Sequence, residues 1–115
     1  MNVISHNVLP RRLGAGCCAQ TVADAALCQA PFEVQVQSIE AGAATAQVAH
    51  AEARVVLALE GGGKLVLDSG SQRFNAPCTL RIAAGARHHF VNHAATPMQL
   101  VTVFVPAPPG EELQR

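Results

Sequence analysis

The sequence Gly85-Ala-Arg-His-His-Phe-Val-Asn92 decides the fold, because it passes from a glycine turn into a short segment that we predict to be a β-strand. In a strand, alternate side chains share one face of the sheet. The two faces then carry His88, Phe90 and Asn92 on one side and His89, Val91 and His93 on the other. Since both faces cannot be interior, we expect one histidine set to face a cavity and the other to face solvent or an interface.

Outward from this stretch, turns divide the chain into short apolar segments. We predict strands over residues 32–37, 45–50, 55–59, 65–67, 79–82, 88–92 and 98–105. Little helix is predicted, and the one candidate is an alanine-rich segment over residues 17–30 that Pro31 would end. Short strands at this spacing are typical of an all-β sandwich or barrel.

The run Gly61-Gly-Gly-Lys64 has part of the pattern of a phosphate-binding loop. That motif needs a glycine at position 58 and a serine or threonine at position 65, where this chain has Ala58 and Leu65. We therefore interpret the three glycines as hairpin residues with positive φ.

The composition narrows the classes of protein to which the chain can belong. Of its 115 residues, 50% are hydrophobic and 14% are charged, which argues against disorder. Eight basic and eight acidic side chains give zero net charge, so no basic excess favours a nucleic acid as partner. No apolar stretch approaches the ~18 residues of a membrane span, and the N-terminus does not have the pattern of a signal peptide. The four cysteines lack metal-ligand spacing, and we expect reduced thiols in a cytoplasmic protein.

The segment Val55-Val-Leu-Ala-Leu59 is apolar at every position, so both of its faces need cover. The interior can cover one face, and a second copy of the chain is the natural cover for the other. A weakly charged surface also favours association. We predict a homodimer that forms through the N-terminal strands and the outer face of residues 55–59.

Residues Pro77 to Asn92 resemble the second motif of the cupin family, which runs G-x5-P-x-G-x2-H-x3-N. The part G-x2-H-x3-N fits Gly85, His88 and Asn92 without a gap. Pro77 replaces the first glycine of the motif, and Ala83 replaces the internal proline.

The first cupin motif, G-x5-H-x-H-x3/4-E-x6-G, aligns from Gly42 to Gly61. Its second histidine falls on His50, its first histidine on Val48 and its glutamate on Arg54. The chain thus resembles a small single-domain cupin of the RmlC-like, cupin-2 conserved barrel type with a degenerate metal motif.

The resemblance implies an antiparallel cupin-type β-barrel, also described as a double-stranded β-helix or jelly roll. This barrel would cover residues 32–106. A lead-in over residues 1–31, either an extended strand or a short helix, would precede it, and a C-terminal tail over residues 107–115 would follow.

The resemblance also bears on cofactors, because cupins usually hold a divalent metal with three histidines and one glutamate. Only His50 and His88 stand at such positions here. Arg54 would place a permanent positive charge where the anionic ligand belongs, and that charge opposes a cation. We therefore expect no complete metal site, and a divalent metal on the two histidines would be weakly held.

Three functions remain open from the sequence. The first is a binding protein without a full metal site, which holds a small organic, anionic ligand by Arg54, His50 and His88 in a pocket lined by Phe90 and Val48. The second is a metal-dependent oxygenase or isomerase with His50 and His88 as metal ligands. The third is a metal-free enzyme in which His88 is the general base and Arg54 stabilises an anionic intermediate. Whether the protein is an enzyme is not decided by the sequence.

Two further expectations concern the same pocket. The rest of its lining is predicted to be Val56, Ala58 and Ile82. In an alternative structural interpretation, Arg54 pairs with Glu52 or Glu60 near the rim and serves no ligand.

Overall fold

The computed structural model describes residues 3–105. The tail predicted over residues 107–115 lies outside the described residues. A 3₁₀ turn at His6–Val8 and one helical turn, α1 (Ala25–Cys28), are the helical elements of the described part. The strands are β1 (Arg12–Gly14), β2 (Cys17–Ala23), β3 (Glu33–Ile39), β4 (Ala53–Glu60), β5 (Gly62–Leu67), β6 (Gly70–Asn75), β7 (Cys78–Ile82), β8 (His88–Val91) and β9 (Met98–Val105).

The strands form two sheets in which every pairing is antiparallel. The larger sheet has the order β1-β2-β3-β9-β4-β7, and the smaller sheet has the order β6-β5-β8. Hydrogen bonds do not close the two sheets into a barrel. The all-β, antiparallel jelly-roll prediction is confirmed, and the barrel shape arises from two sheets that pack face to face.

Strict alternation in β9 shows why the core lies between the sheets. Met98, Leu100, Thr102 and Phe104 are buried, while the intervening side chains are partly or fully exposed. Period-two burial of this kind turns one face of a strand inward. The buried core consists of Ile39, Val56, Ala58, Leu65, Phe74, Ile82, Phe90, Met98 and Leu100.

Asn92 ties three chain segments together behind this core. It is fully buried, and its amide nitrogen donates to the carbonyl oxygens of Ile39, Glu40 and Thr96. Its side-chain oxygen accepts from the backbone N–H of Ala94. The asparagine of the second cupin motif therefore has a structural role in this chain.

The N-terminal region differs from its prediction. Residues 17–23 of the segment predicted as a helix form strand β2, and only α1 is helical. Pairing with β3 through six residue pairs overrides the modest helix preference of this alanine-rich stretch. Residues 45–50 also form no strand, and they are tied to β8 by the isolated bridge between Val48 and His88 and by hydrogen bonds between Thr45 and Phe90.

Strand β6 has no counterpart among the predicted strands. Its residues are Gly-Ser-Gln-Arg-Phe-Asn, of which only Phe74 is buried. Because β6 is an edge strand of the smaller sheet, its polar side chains remain in solvent, and the apolar alternation that signals a strand is missing.

The prediction for the glycine run is wrong at two of its three positions. Only Gly61 has a positive φ, of 82°. It links β4 in the larger sheet to β5 in the smaller one, so no hairpin forms there. Gly62 and Gly63 belong to β5 and are explained by close packing instead. A Cβ on Gly62 would lie 2.6 Å from the Asn75 side-chain oxygen.

Within residues 3–105, no helix is long and apolar enough to cross a membrane.

Candidate functional site

A cavity of about 220 Å³ opens between the two sheets. Its lining includes all five residues proposed from the sequence for ligand binding, which are His50, Arg54, His88, Phe90 and Val48. The structure therefore brings these side chains around one space, although they come from β4, β8 and the loop before β4.

Backbone pairing with β8 holds the loop in place. Val48 and His88 exchange two backbone hydrogen bonds of 3.0 and 2.9 Å. Farther along, the Thr45 hydroxyl oxygen accepts from the backbone N–H of Phe90 at 2.9 Å. This ladder brings the His50 ring to 6.3 Å from the His88 ring and sets it edge-on against Phe104 at 5.3 Å.

Arg54 and His88 form the buried centre of the site. Both are nearly inaccessible, with 6% and 2% of their surface exposed. The Nδ1 of His88 lies 3.0 Å from the carbonyl oxygen of Ala86, which can only accept, so this nitrogen carries the proton. The Nε2 then has a free lone pair, and Nη1 of Arg54 donates to it at 3.1 Å. This tautomer is assigned from the hydrogen-bond network.

The environment keeps His88 neutral. Burial is the main cause that lowers its pKa below 6.5, and the nearby Arg54 and His89 act in the same direction. The hydrogen bond to Ala86 raises the pKa but does not outweigh burial. A neutral ring is the form that can accept a hydrogen bond from a guanidinium.

Arg54 stays charged although it is buried. Desolvation lowers its pKa to about 10, and Glu33 partly opposes that shift. The guanidinium carbon lies 4.6 Å from the centre of the Phe104 ring, a geometry that suits a cation–π contact. Its Nη2 is buried and has no hydrogen-bond partner. Among residues 3–105, Arg54 forms no ion pair with Glu52 or Glu60, the alternative considered from the sequence.

The donor set does not fit the metal that cupins usually hold. Val48 has no donor atom, and Arg54 carries a positive charge at the glutamate position. The Nε2 lone pair of His88 is already engaged by Arg54. Within the described residues, no group of three or more histidine, cysteine, aspartate or glutamate side chains could bind a metal ion. First-row metals in protein sites need about three protein ligands.

Part of the lining was not anticipated from the sequence. The additional residues are Arg12, Ala19, Gln35, Gln37, Thr45 and Ala46. Conversely, Val56, Ala58 and Ile82 belong to the packed core and do not line the cavity.

The orientation of β3 explains the difference. In this strand, Gln35 and Gln37 share the face of the buried Ile39, while its valines lie on the opposite face. Ile39 could have indicated in the sequence which face of β3 points inward, because it is an even number of residues away from both glutamines. The resulting cavity has two arginines and no carboxylate in its lining.

Comparisons with known proteins agree with this architecture. A family model described as "Cupin domain" matches residues 35–104. No curated protein matches the chain.

Several solved structures share the fold. A Cupin 2 conserved barrel domain protein from Salinispora arenicola is 24% identical, with a TM-score of 0.75, and the match covers 99% of this chain and 94% of that one. A cupin-superfamily sugar phosphate isomerase from Silicibacter pomeroyi is 22% identical, with coverage of 92% and 76% and a TM-score of 0.73. The polyketide cyclase RemF from Streptomyces resistomycificus is 16% identical, with coverage of 100% and 94% and a TM-score of 0.74. At these identities the likeness shows the fold alone.

Proposed function

The chain belongs to the cupin domain family, and from that premise we propose that it binds a small organic anion in its cavity, with Arg54 in place of a metal ion. The observation that carries this proposal is the buried Nη2 of Arg54, which has no partner. An unpaired buried donor costs about 1–3 kcal/mol, and more when it is charged. A carboxylate or phosphate oxygen of a ligand would satisfy it.

The neighbours of Arg54 hold it in position for this role. His88 accepts from Nη1, and the guanidinium carbon lies over the Phe104 ring. Because His88 holds Nη1 of Arg54 and the guanidinium is planar, the position of the unpaired Nη2 is fixed as well. The ring of His50 stands beside both of these partners and supplies a second polar group for the ligand.

The dimensions of the cavity limit the ligand to a small molecule. Its volume of about 220 Å³ is below the roughly 300–1,000 Å³ typical of pockets for drug-sized ligands. Val48, Phe90 and two alanines form the apolar part of its wall, and the other seven of its eleven lining residues are polar or charged. A lining of this kind favours a ligand that carries polar or charged groups of its own.

A thermal-shift and calorimetric screen tests this proposal. The probes are inorganic phosphate and monocarboxylates from acetate to hexanoate, applied to the wild type, to Arg54→Gln and to Arg73→Gln. Arg73 is an exposed arginine on β6 and does not line this cavity. A ligand at 100 times its Kd stabilises the folded state by about 2.7 kcal/mol. We expect this stabilisation in the wild type and in Arg73→Gln, and its loss in Arg54→Gln. Equal ligand-induced thermal shifts in all three proteins would show that Arg54 does not contribute to binding.

The alternative function is a metal-dependent oxygenase or isomerase with His50 and His88 as ligands. Similar folds include proteins named as an isomerase, a cyclase and a predicted oxalate decarboxylase. The engagement of His88 by Arg54 does not favour this alternative. It equally disfavours a metal-free enzyme with His88 as general base, because the required lone pair is occupied.

Metal analysis separates the alternative from the proposal. Near-stoichiometric iron, manganese, nickel or zinc in tag-free protein would favour the metal-dependent function. Arg54→Glu frees His88 and adds an anionic ligand, so we expect it to take up a divalent cation more tightly than the wild type does. Arg54→Gln frees His88 without adding charge and is the matched control. Metal uptake by the wild type that equals that of Arg54→Glu would contradict the proposal.

We also propose that the protein is a homodimer in a reducing, cytoplasmic setting. The four cysteines form no disulfide, which supports the reducing setting. Leu57 and Leu59 on the outer face of β4 remain 36% and 54% exposed, which supports the dimer.

A further inference from the structure

The same cavity contains a second arginine, Arg12, on the edge strand β1. Arg12 pairs in register with Ala19 of β2, and Ala19 pairs with Gln37 of β3. Directly paired residues point to the same side of a sheet. Since Ala19 and Gln37 line the cavity, the register places Arg12 on that side too, and it is part of the lining.

Arg12 and Arg54 reach the cavity from distant parts of the larger sheet. In its strand order, β1 and β4 are separated by β2, β3 and β9. Arg54 is buried, whereas Arg12 is exposed. One arginine of the lining is thus withdrawn from solvent and the other is open to it.

The lining between the two arginines is polar but uncharged. It includes the amides of Gln35 and Gln37 and the hydroxyl of Thr45. Glu33, the carboxylate that raises the pKa of Arg54, accepts a hydrogen bond from Gln35 and lines a different depression beside Phe104. No acidic side chain of the lining therefore neutralises either arginine.

Arg12 also has donors to spare. Its Nη1 donates to the Thr21 hydroxyl at 3.3 Å, and a guanidinium has five N–H donors in total. Held at one nitrogen, it can offer the remaining edge of its planar group to a carboxylate.

We infer that the ligand carries two anionic groups and is a small dicarboxylate, with one carboxylate on Arg54 and the other on Arg12. This inference rests on the proposed function, and it adds the ligand class and a specificity-determining residue. A monocarboxylate of the same length would use Arg54 alone and would bind more weakly.

Matched pairs of ligands test the inference in calorimetric titrations. The pairs are succinate and butyrate, glutarate and valerate, and adipate and hexanoate, in which a methyl group replaces one carboxylate. The proteins are the wild type, Arg12→Gln and the control Arg11→Gln, which removes the adjacent exposed arginine that does not line the cavity.

We expect at least one dicarboxylate to bind the wild type more tightly than its monocarboxylate partner. Arg12→Gln should weaken that dicarboxylate about fivefold, the scale of a partly exposed ion pair, and leave the monocarboxylate within about twofold. Arg11→Gln should change neither. Equal binding of the two members of every pair, or equal weakening of both by Arg12→Gln, would overturn the inference. If monocarboxylates still depend on Arg54 in that case, the proposed function stands without it. If neither class binds the wild type, both fail.

Discussion

At the scale of single residues, the proposed function gives the Arg54 guanidinium the place that a metal ion would otherwise take. A metal is held by several lone pairs and exchanges with solvent, whereas the guanidinium is held by one neutral imidazole and by the Phe104 ring. Its charge persists because its pKa, although lowered to about 10, remains above neutral pH. In the proposed function, this retained positive charge binds the anion without a metal ion.

The neutral state of His88 predicts a pH dependence of stability. Its folded pKa lies below the value of about 6.5 expected in the unfolded chain. Below that pH the unfolded state binds a proton that the folded state does not, so the free energy of unfolding falls. The slope from this one group is at most about 1.4 kcal/mol per pH unit. The contribution is fully present above pH 6.5 and is lost as the pH falls toward the folded pKa.

Denaturant titrations at pH 7.5, 6.5 and 5.5 measure this effect. We expect the loss of stability between pH 6.5 and 5.5 to be smaller in His88→Gln, which can still accept from Arg54 but does not titrate. His93→Gln, at an exposed position, is the control and should keep the wild-type slope. Identical slopes in His88→Gln and the wild type would show that His88 is protonated to the same extent in both states.

Motif spacing made part of the site predictable. His50, Arg54 and His88 stand at fixed intervals from motif glycines, so their shared cavity was expected from the sequence, and the structure brings them together. Arg12 and Gln35 could not be found this way. Arg12 reaches the cavity only because β1 pairs with β2 and so joins the larger sheet. No local sequence pattern predicts this pairing.

At the scale of secondary structure elements, the position of β5 depends on Gly63, because there is no room for a side chain at this residue. A Cβ on Gly63 would collide with the Val91 carbonyl oxygen of the neighbouring strand and lie 2.6 Å from the methyl group of Met98. Glycine at this position lets β5 and β8 approach each other while the core methionine fills the space above them. The smaller sheet carries His88 and Phe90, so its placement also sets the wall of the cavity.

We therefore predict that Gly63→Ala destabilises the protein by about 1–3 kcal/mol, the usual cost of overpacking a close-packed site. Chemical denaturation measures the change. Gly14→Ala is the matched control, because it is also a strand glycine but has no atom within 4 Å of the added Cβ. Its effect should stay within about 0.5 kcal/mol. A wild-type midpoint for Gly63→Ala would mean that β5 and β8 can separate at little cost.

The elements that were predictable are those with one apolar face. Strand β9 was predicted with its observed bounds, and β7 and β8 to within one residue, because each alternates toward the core. Strand β2 was missed because its alanines favour a helix over a strand. Its conformation is decided by pairing with β3, and the sequence of β2 alone does not predict that pairing.

At the scale of the whole molecule, the larger sheet has an apolar outer face. The register places Val36, Val101 and Leu57 side by side on the outer face of the larger sheet, and Val34, Val103 and Val55 in the next row. Leu57 and Leu59 remain 36% and 54% exposed. Contiguous apolar surface of this kind marks an interaction site more often than free surface.

A second copy of the chain is the occupant that we propose for this face, since zero net charge means that no overall repulsion opposes self-association. Sedimentation and light scattering should give twice the mass of one chain for the wild type. Leu57→Lys, which buries a charge at the centre of the proposed interface, should give the mass of one chain while keeping the β-sheet spectrum. Ser71→Lys, on the exposed edge strand β6 of the other sheet, should remain dimeric. A monomeric wild type, or a dimer that survives Leu57→Lys unchanged, would show that this face has another use.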